Sequence, residues 1–153
     1  MRCAGPSLRG SRSRWREKGA AVQISARVVS AADQHAVSVR TGDAEQPLTV
    51  PPRDGGGSAV NGGEFLMLAL ATCYCNDLHR EARRLGMELT RVEVEATASF
   101  DGVGLAASDV RYRARVQSPA PPEAVERLLR ETDAVAEVHN TLRTGVPVSW
   151  VRW

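Results

Sequence analysis

The sequence predicts an α+β fold in which antiparallel β-strands surround one long buried helix. The first observation is an apolar segment at residues 61–85, which consists largely of helix-forming residues and is followed by Gly86. The second is an alternation of apolar and polar residues on both sides of this segment, which is typical of strands with one buried face. Strands that form hairpins before and after a helix indicate an α+β domain with antiparallel sheet.

The segment before the helix predicts three strands. Residues 22–29 and 36–41 are rich in β-branched residues and are separated by a turn-prone stretch. Residues 48–50 predict a third, short strand that ends at two prolines. A glycine-rich loop at residues 53–57 then leads to the helix.

The segment after Gly86 begins with a predicted hairpin. Residues 90–100 alternate strictly, with Phe100 as the last inward position, and residues 107–116 alternate again after a turn. Each of these strands is therefore expected to bury one face.

The last part of the chain predicts two short helices and a closing strand. Prolines open a helix over residues 123–130. Asp133 is expected to cap a second helix that continues through Leu142, and Gly145 ends it. Residues 146–151 predict the final strand.

The central helix carries no charge over residues 65–72, and a helix that is apolar all round is a core helix. A single chain of this size can hardly cover such a helix on every side. We therefore expect a homodimer in which two of these helices pack together. The charges at residues 80–84 are interpreted as the solvated end of the helix.

Composition indicates one globular domain. The chain has 153 residues, of which 42% are hydrophobic and 25% charged. Residues 1–18 carry six basic side chains and one acidic side chain, a net charge of +5, so a total of +2 leaves −3 for the remainder. We predict a disordered basic extension at residues 1–20 and a folded domain at residues 21–153. A transit peptide and a nucleic-acid-binding arm are the alternatives for the extension.

The remainder of the chain is mildly acidic and the basic cluster is a tail, so no nucleic-acid partner is expected. No apolar run is long enough for a signal peptide or a membrane span, so no membrane association is expected either. Cys3, Cys73 and Cys75 do not form the framework of a secreted disulfide-rich protein. The expected location is the cytoplasm, where these thiols are reduced.

Three motifs carry a family resemblance. They are Asn-Gly-Gly-Glu-Phe-Leu at residues 61–66, Ala-Leu-Ala-Thr-Cys at residues 69–73, and Val-His-Asn-Thr-Leu-Arg-Thr-Gly-Val-Pro at residues 138–147. Over about residues 22–151 the chain resembles the OsmC/Ohr family, bacterial thiol-dependent peroxide-resistance proteins. The resemblance implies an intertwined homodimer with active sites at the subunit interface. It also implies that Cys73 attacks a small hydroperoxide in oxidative-stress defence.

The chemistry of such a cysteine sets requirements. A thiolate attacks a peroxide oxygen and becomes a sulfenic acid, so a cation or hydrogen-bond donors are expected beside it. A second thiol then forms a disulfide with the oxidised sulfur. The resemblance implies a second cysteine at or beside Ala136, but no cysteine follows Cys75. An external thiol reductant is therefore expected to take that role.

The resemblance further implies a glutamate at the helix start and an arginine in the early hairpin. The glutamate position falls near Gly63, which makes the adjacent Glu64 the candidate. The hairpin turn lacks arginine, and three other arginines are candidates for its role: Arg27, Arg40 and Arg53. His139 would lower the pKa of Cys73 or protonate the leaving oxygen, or it would bond a backbone carbonyl at a helix end.

Cys75 and the histidines leave two more alternatives. Residues i and i+2 of a helix point about 200° apart, which favours Cys75 as a small buried hydrophobe over a Cys73–Cys75 disulfide. Cys75 and His79 have the i, i+4 spacing of metal sites, and His139 or Cys73 would complete a zinc set. No metal and no cofactor are predicted, because no second tight ligand pair accompanies this one.

The leading hypothesis is thus a thiol redox protein, a hydroperoxide reductase acting through Cys73, with Cys75, Glu64 and His139 as further site residues. The alternative is a dimer that binds a small apolar ligand without catalysing a reaction.

Overall fold

The computed structural model describes residues 21–152. The described residues form two compact units, which divide between Ala59 and Val60. The predicted extension at residues 1–20 lies outside the described residues, as does Cys3. The folded domain over residues 21–153 stays a prediction. The α+β class with antiparallel sheets is confirmed.

The first unit contains a three-stranded antiparallel sheet. Its strands are β1 (Ile24–Ser30), β2 (His35–Thr41) and β3 (Ala44–Leu48), in the order β1-β2-β3. Val28 pairs with Val37, which is the buried residue of β2. The first two strands lie within two residues of their predicted bounds.

The third strand was predicted too late in the chain. The strand β3 covers Ala44–Leu48, so of the predicted residues 48–50 only Leu48 belongs to it. Thr41 pairs with Ala44, so Gly42 and Asp43 form a two-residue hairpin loop, and Gly42 has a φ of +57° that glycine adopts without steric cost. Pro47 is tolerated because β3 is an edge strand.

The second unit begins with α1 (Gly62–Arg84), which confirms the predicted long helix. Asn61 caps it: its side chain accepts a hydrogen bond from the Glu64 N–H at 2.9 Å, and Glu64 Oε2 accepts one from the Asn61 N–H at 2.7 Å. This reciprocal capping box satisfies two backbone donors that the helix itself cannot pair. Gly86, with a φ of +68°, follows the C-cap Leu85.

The predicted hairpin is present as β4 (Arg91–Phe100) and β5 (Ala107–Gln117). Alternate residues of both strands are half-buried and pack on the core beside α1. The pairing of the two strands has a register shift between Thr97 and Ser99, while the alternation of burial in β4 continues to Ala98. Phe100 is 52% exposed, but its ring lies beside Gly63 at the start of α1, where a Cβ on Gly63 would be 3.1 Å from it. Phe100 is therefore on the predicted side of the strand, although one chain covers it only in part.

The next two helices differ in their bounds from the prediction. They are α2 (Pro122–Val135) and α3 (Glu137–Thr144). Asp133 does not cap the second helix, because it lies inside α2 and binds Tyr112 and Arg143. Instead α3 begins after Ala136 with no side-chain cap.

The predicted final strand is wrong, because residues 146–151 have no regular secondary structure. Val148 is 99% exposed and Trp150 82% exposed. A strand forms only when another strand pairs with it, and no described strand pairs with this segment. Among the described residues, no helix combines the length and apolar character needed to cross a bilayer.

The core of the second unit lies between α1, α2 and the hairpin. Its buried members are Tyr74, Leu78, Ala82, Leu128 and Ala136. The opposite side of α1 is less covered, and Leu68 is 57% exposed. This exposed apolar position is where the predicted dimer would pack.

Candidate functional site

Cys73 lies in the middle of α1, half-buried, directly before the core residue Tyr74. Its thiol donates to Oδ2 of Asp77 at 3.5 Å, one helical turn later. Oε2 of Glu137, the first residue of α3, lies 3.9 Å from the same sulfur. The short connection at the buried Ala136 positions α3 so that its first turn reaches Cys73.

Arg80 joins the two carboxylates on their other side. Its Nη1 lies 2.8 Å from Oδ1 of Asp77 and 3.3 Å from Oε1 of Glu137. Its Nε lies 3.2 Å from Oε1 of Glu81. Arg80 therefore binds one oxygen of Asp77 and one of Glu137, and the other oxygen of each of these two carboxylates faces the sulfur.

This environment disfavours the thiolate. Burial raises the pKa of Cys73, a backbone hydrogen bond from Val138 partly opposes this, and Asp77 and Glu137 raise it further. Burial and the nearby Glu137 also raise the pKa of Asp77 to about 6, against the effect of Arg80. The cysteine at rest is thus a thiol that donates to a carboxylate.

Glu64 occupies a different part of the helix. It lies nine residues before Cys73, roughly 13 Å along the helix axis. Its carboxylate is exposed and completes the capping box with Asn61. Within one chain the structure therefore does not bring Glu64 to the sulfur.

The three candidate arginines belong to the first unit. Arg40 pairs with Glu45 at 3.0 Å. Cys75 is a half-buried free thiol on α1, like Cys73, and the two are not joined by a disulfide.

His139 is buried in the core, 3% exposed. Its ring packs against Tyr112 and Tyr74, with ring centroids 4.3 and 5.6 Å apart. Within the described part of the chain, neither ring nitrogen has a hydrogen-bond partner. The predicted bond to a backbone carbonyl is therefore absent there.

Burial lowers the pKa of His139, and Arg143 lowers it further, while Asp133 acts in the opposite direction. Arg143 and Asp133 also fix the position of α3. Arg143 Nη2 donates to Oδ1 of Asp133 at 2.6 Å, and the same oxygen accepts from the Tyr112 hydroxyl. The helix that carries Glu137 is consequently fixed by contacts on its opposite side.

Sequence reasoning found Cys73 but missed its neighbours. Asp77 and Arg80 follow it at i+4 and i+7, so the three lie on one face of α1. That spacing was a usable signal, but Arg80 was assigned to a solvated helix end. Glu137 lies 64 residues from Cys73 in sequence, and no local pattern indicates that contact.

One group of side chains has donors suited to a metal ion. The sulfur of Cys73 and one carboxylate oxygen each of Asp77 and Glu137 lie within 4.8 Å of one another. No other group of three or more such residues occurs in residues 21–152. The alternative set built on Cys75 and His79 is therefore not assembled there, and His79 is exposed.

A cavity of about 790 Å³ lies in the first unit, between residues 30–35 and residues 52–57. His35 Nε2 and the Ser58 hydroxyl are 3.2 Å apart nearby. None of the four predicted site residues lines this cavity.

The chain matches the sequence profile of a family described as OsmC-like protein over residues 55–151, which is more than half of its length. None of the curated proteins matches it in sequence.

Solved structures share the fold. An OsmC-like protein from Mycoplasma pneumoniae is 14% identical with a TM-score of 0.59, over 82% of this chain and 89% of that chain. An organic hydroperoxide resistance protein from Elizabethkingia anophelis is 16% identical with a TM-score of 0.54, over 82% and 91%. A putative organic hydroperoxide resistance protein from Vibrio cholerae, with captopril in one active site, is 22% identical with a TM-score of 0.53, over 84% and 89%.

Proposed function

Because the chain belongs to the OsmC-like protein family, we propose that it is a thiol redox protein that reduces organic hydroperoxides through Cys73 in oxidative-stress defence. The position of Cys73 carries the proposal. Its half-buried sulfur is held between two helices and contacts Asp77 and Glu137. The names of similar structures from Elizabethkingia anophelis and Vibrio cholerae support hydroperoxides as the substrate class.

The proposed reaction oxidises the Cys73 thiol and cleaves the O–O bond of the hydroperoxide. The thiol loses its proton, the thiolate attacks a peroxide oxygen, the O–O bond breaks, and an S–O bond forms. The leaving alkoxide takes up a proton and departs as an alcohol. The products are a sulfenic acid on Cys73 and one alcohol.

Reduction uses an external thiol, because no cysteine follows Cys75. The external thiol condenses with the sulfenic acid, which gives a mixed disulfide and water. A second thiol attacks the mixed disulfide, which restores Cys73 and releases the oxidised reductant. Cys75 is not required in this scheme.

The direct contacts of the reacting sulfur are assigned to Asp77, Glu137 and Val138. Val138 stabilises the thiolate by a backbone hydrogen bond at the N-terminal turn of α3. Neither Glu64 nor His139 hydrogen-bonds to the sulfur within one chain. Their catalytic roles rest on the family resemblance alone and are tested by substitution.

The proposal includes a homodimer in the cytoplasm, with no nucleic-acid partner. Exposed apolar side chains at Leu68, Val148 and Trp150 support an interface between two copies. Light scattering should give twice the mass of the chain at micromolar concentration. A monomer at that concentration would contradict this part of the proposal.

The decisive experiment measures consumption of cumene hydroperoxide with dithiothreitol as reductant. We expect Cys73→Ser to lose consumption and Cys75→Ser to keep most of it. Mass spectrometry should find the added oxygen, or the mixed disulfide, on Cys73. Full consumption by the Cys73→Ser protein would end the proposal.

One observation favours the alternative of a noncatalytic dimer that binds a small apolar ligand. The pKa of Cys73 is raised, so little thiolate is present at neutral pH. The same assay separates the two functions. Wild-type protein that consumes no hydroperoxide above the uncatalysed rate, at pH 7 and at pH 9, would favour the alternative.

A further inference from the structure

We propose that Cys73, Asp77 and Glu137 bind a zinc ion. The sulfur lies 3.5 Å from Oδ2 of Asp77 and 3.9 Å from Oε2 of Glu137. In a tetrahedral zinc site with Zn–S of about 2.3 Å and Zn–O of about 2.0–2.2 Å, the sulfur and an oxygen ligand are about 3.5–3.7 Å apart. Both sulfur–oxygen distances are therefore close to those between zinc ligands, and the three donor atoms all lie within 4.8 Å of one another.

Arg80 leaves these donors free. It binds Oδ1 of Asp77 and Oε1 of Glu137, so Oδ2 and Oε2 both point toward the sulfur. Hydrogen bonds to the outer oxygens are how proteins orient the carboxylates that bind metals. Arg80 would thus hold both ligands in place without entering the coordination sphere.

Asp77 gives an independent indication. Its side chain is only 7% exposed, and within the described part of the chain the only hydrogen-bond donor to Oδ2 is the Cys73 thiol. Arg80 pairs with the other oxygen, Oδ1, so Oδ2 is the oxygen of this buried carboxylate that remains for a metal ion. Buried charges in proteins are paired or coordinate a metal.

The charges also match. A thiolate and two carboxylates carry −3, and Arg80 reduces this to −2, which a divalent cation neutralises. Glu81, which also contacts Arg80, is balanced by its ion pair with Arg84. Thiolate with carboxylate suits zinc better than magnesium or calcium, which take oxygen ligands alone. The Glu137 side chain is 67% exposed, so the fourth coordination position is open to water.

This site goes beyond the proposed function, because zinc and hydroperoxide would compete for one sulfur. Zinc binding is measured without peroxide. The protein can therefore bind zinc without consuming hydroperoxide, or consume hydroperoxide without binding zinc, and the two assays distinguish these outcomes. The donor set also differs from one built on Cys75 and His79, which provides a control.

The first experiment titrates Zn²⁺ into the reduced, chelator-treated full-length protein against a chromophoric chelator. We expect one ion per chain, with release of the thiol proton, so that affinity rises with pH. Asp77→Asn and Glu137→Gln should each weaken binding about tenfold or more. Two control variants should leave the zinc affinity unchanged. They are His79→Gln and Glu126→Gln, the latter removing one exposed negative charge away from the site, as Glu137→Gln does within it.

The second experiment begins with the wild-type protein, so its first measurement does not depend on the folding of a variant. Zn²⁺ should slow alkylation of Cys73 but not of Cys75, as mapped by mass spectrometry. Co²⁺ should produce a thiolate charge-transfer band that Cys73→Ser lacks. Unprotected Cys73, or an affinity that depends on His79 and not on Glu137, would overturn the proposal.

Discussion

The sulfur of Cys73 lies 3.5 Å from Oδ2 of Asp77, one turn further along α1. A carboxylate rather than a cation thus receives the thiol hydrogen of the residue that the family resemblance marks as the nucleophile. The cation of the site, Arg80, binds the other oxygen of Asp77. At rest the sulfur is therefore a protonated thiol and not a permanent thiolate, and the expected reactivity of Cys73 follows from this.

The first prediction concerns the pH dependence of Cys73. Because its pKa is raised above the ordinary thiol value, its alkylation by iodoacetamide should be slow at pH 7. The rate should increase about tenfold per pH unit and still be rising at pH 9. Mapping the labelled peptide separates Cys73 from Cys75. A plateau below pH 8 would show that the thiolate is stabilised after all.

Substitution of Asp77 should make this cysteine more reactive. Asp77→Asn removes a carboxylate that raises the pKa of Cys73, so alkylation at pH 7 should become about three- to tenfold faster. Glu126→Gln, which removes an exposed carboxylate on α2, should leave the rate unchanged. Slower alkylation of the Asn variant would mean that Asp77 assists deprotonation instead.

Asp77 should also affect stability. Its pKa is about 6 in the folded protein, above its ordinary value of 3.8, so the folded state favours the protonated carboxyl. That contribution is fully present below pH 4 and is lost as the pH rises through 6. Between pH 4 and pH 7, wild-type protein should lose on the order of 1–3 kcal/mol of unfolding free energy relative to Asp77→Asn. Urea unfolding of both proteins at the two pH values measures this difference, and a constant difference would contradict it.

His139 gives the opposite pH dependence. Its pKa is lowered by burial, so its contribution to stability is present above pH 6.5 and is lost as the pH falls below that value. His139→Phe keeps an aromatic ring against Tyr74 and Tyr112 and removes two nitrogens that lack partners. The variant should therefore gain stability relative to wild type as the pH falls from 7.5 to 5.5. No such gain in thermal or urea unfolding would show that the imidazole is charged or hydrogen-bonded in solution.

Glu64 allows capping and catalysis to be separated. Glutamine serves in a capping box as well as glutamate does, so Glu64→Gln should change the unfolding free energy by less than about 0.5 kcal/mol. Asn61→Ala, which removes the other half of the box, should cost about 1 kcal/mol. If Glu64 acts only as a cap, hydroperoxide consumption by Glu64→Gln equals that of wild type. A loss of consumption without a loss of stability would establish a catalytic role.

The predictions from sequence succeeded where the pattern was long and local. The helix α1 was found because its apolar segment has clear boundaries, and the hairpin β4–β5 because both strands alternate. The strand expected at residues 146–151 also alternates, but alternation alone does not supply a neighbouring strand. The strand β3 was placed wrongly because the loop residues Gly42 and Asp43 were not recognised as a turn.

The site was less accessible to such reasoning. Cys73 was identified through a motif, and Asp77 and Arg80 share its helix face. Glu137 approaches the sulfur only because α2, Ala136 and the aromatic cluster around His139 fix the position of α3. That placement is a property of tertiary packing, which a local pattern does not contain.

The two turns of α3 separate two kinds of residue. Glu137 is exposed at its start, while His139 is buried two positions later. A protein engineer could therefore adjust the electrostatics around the sulfur by changing position 137 without touching the interior. Changes at position 139 would act first on folding yield. Libraries screened for altered thiol reactivity should therefore randomise position 137 and keep position 139 fixed.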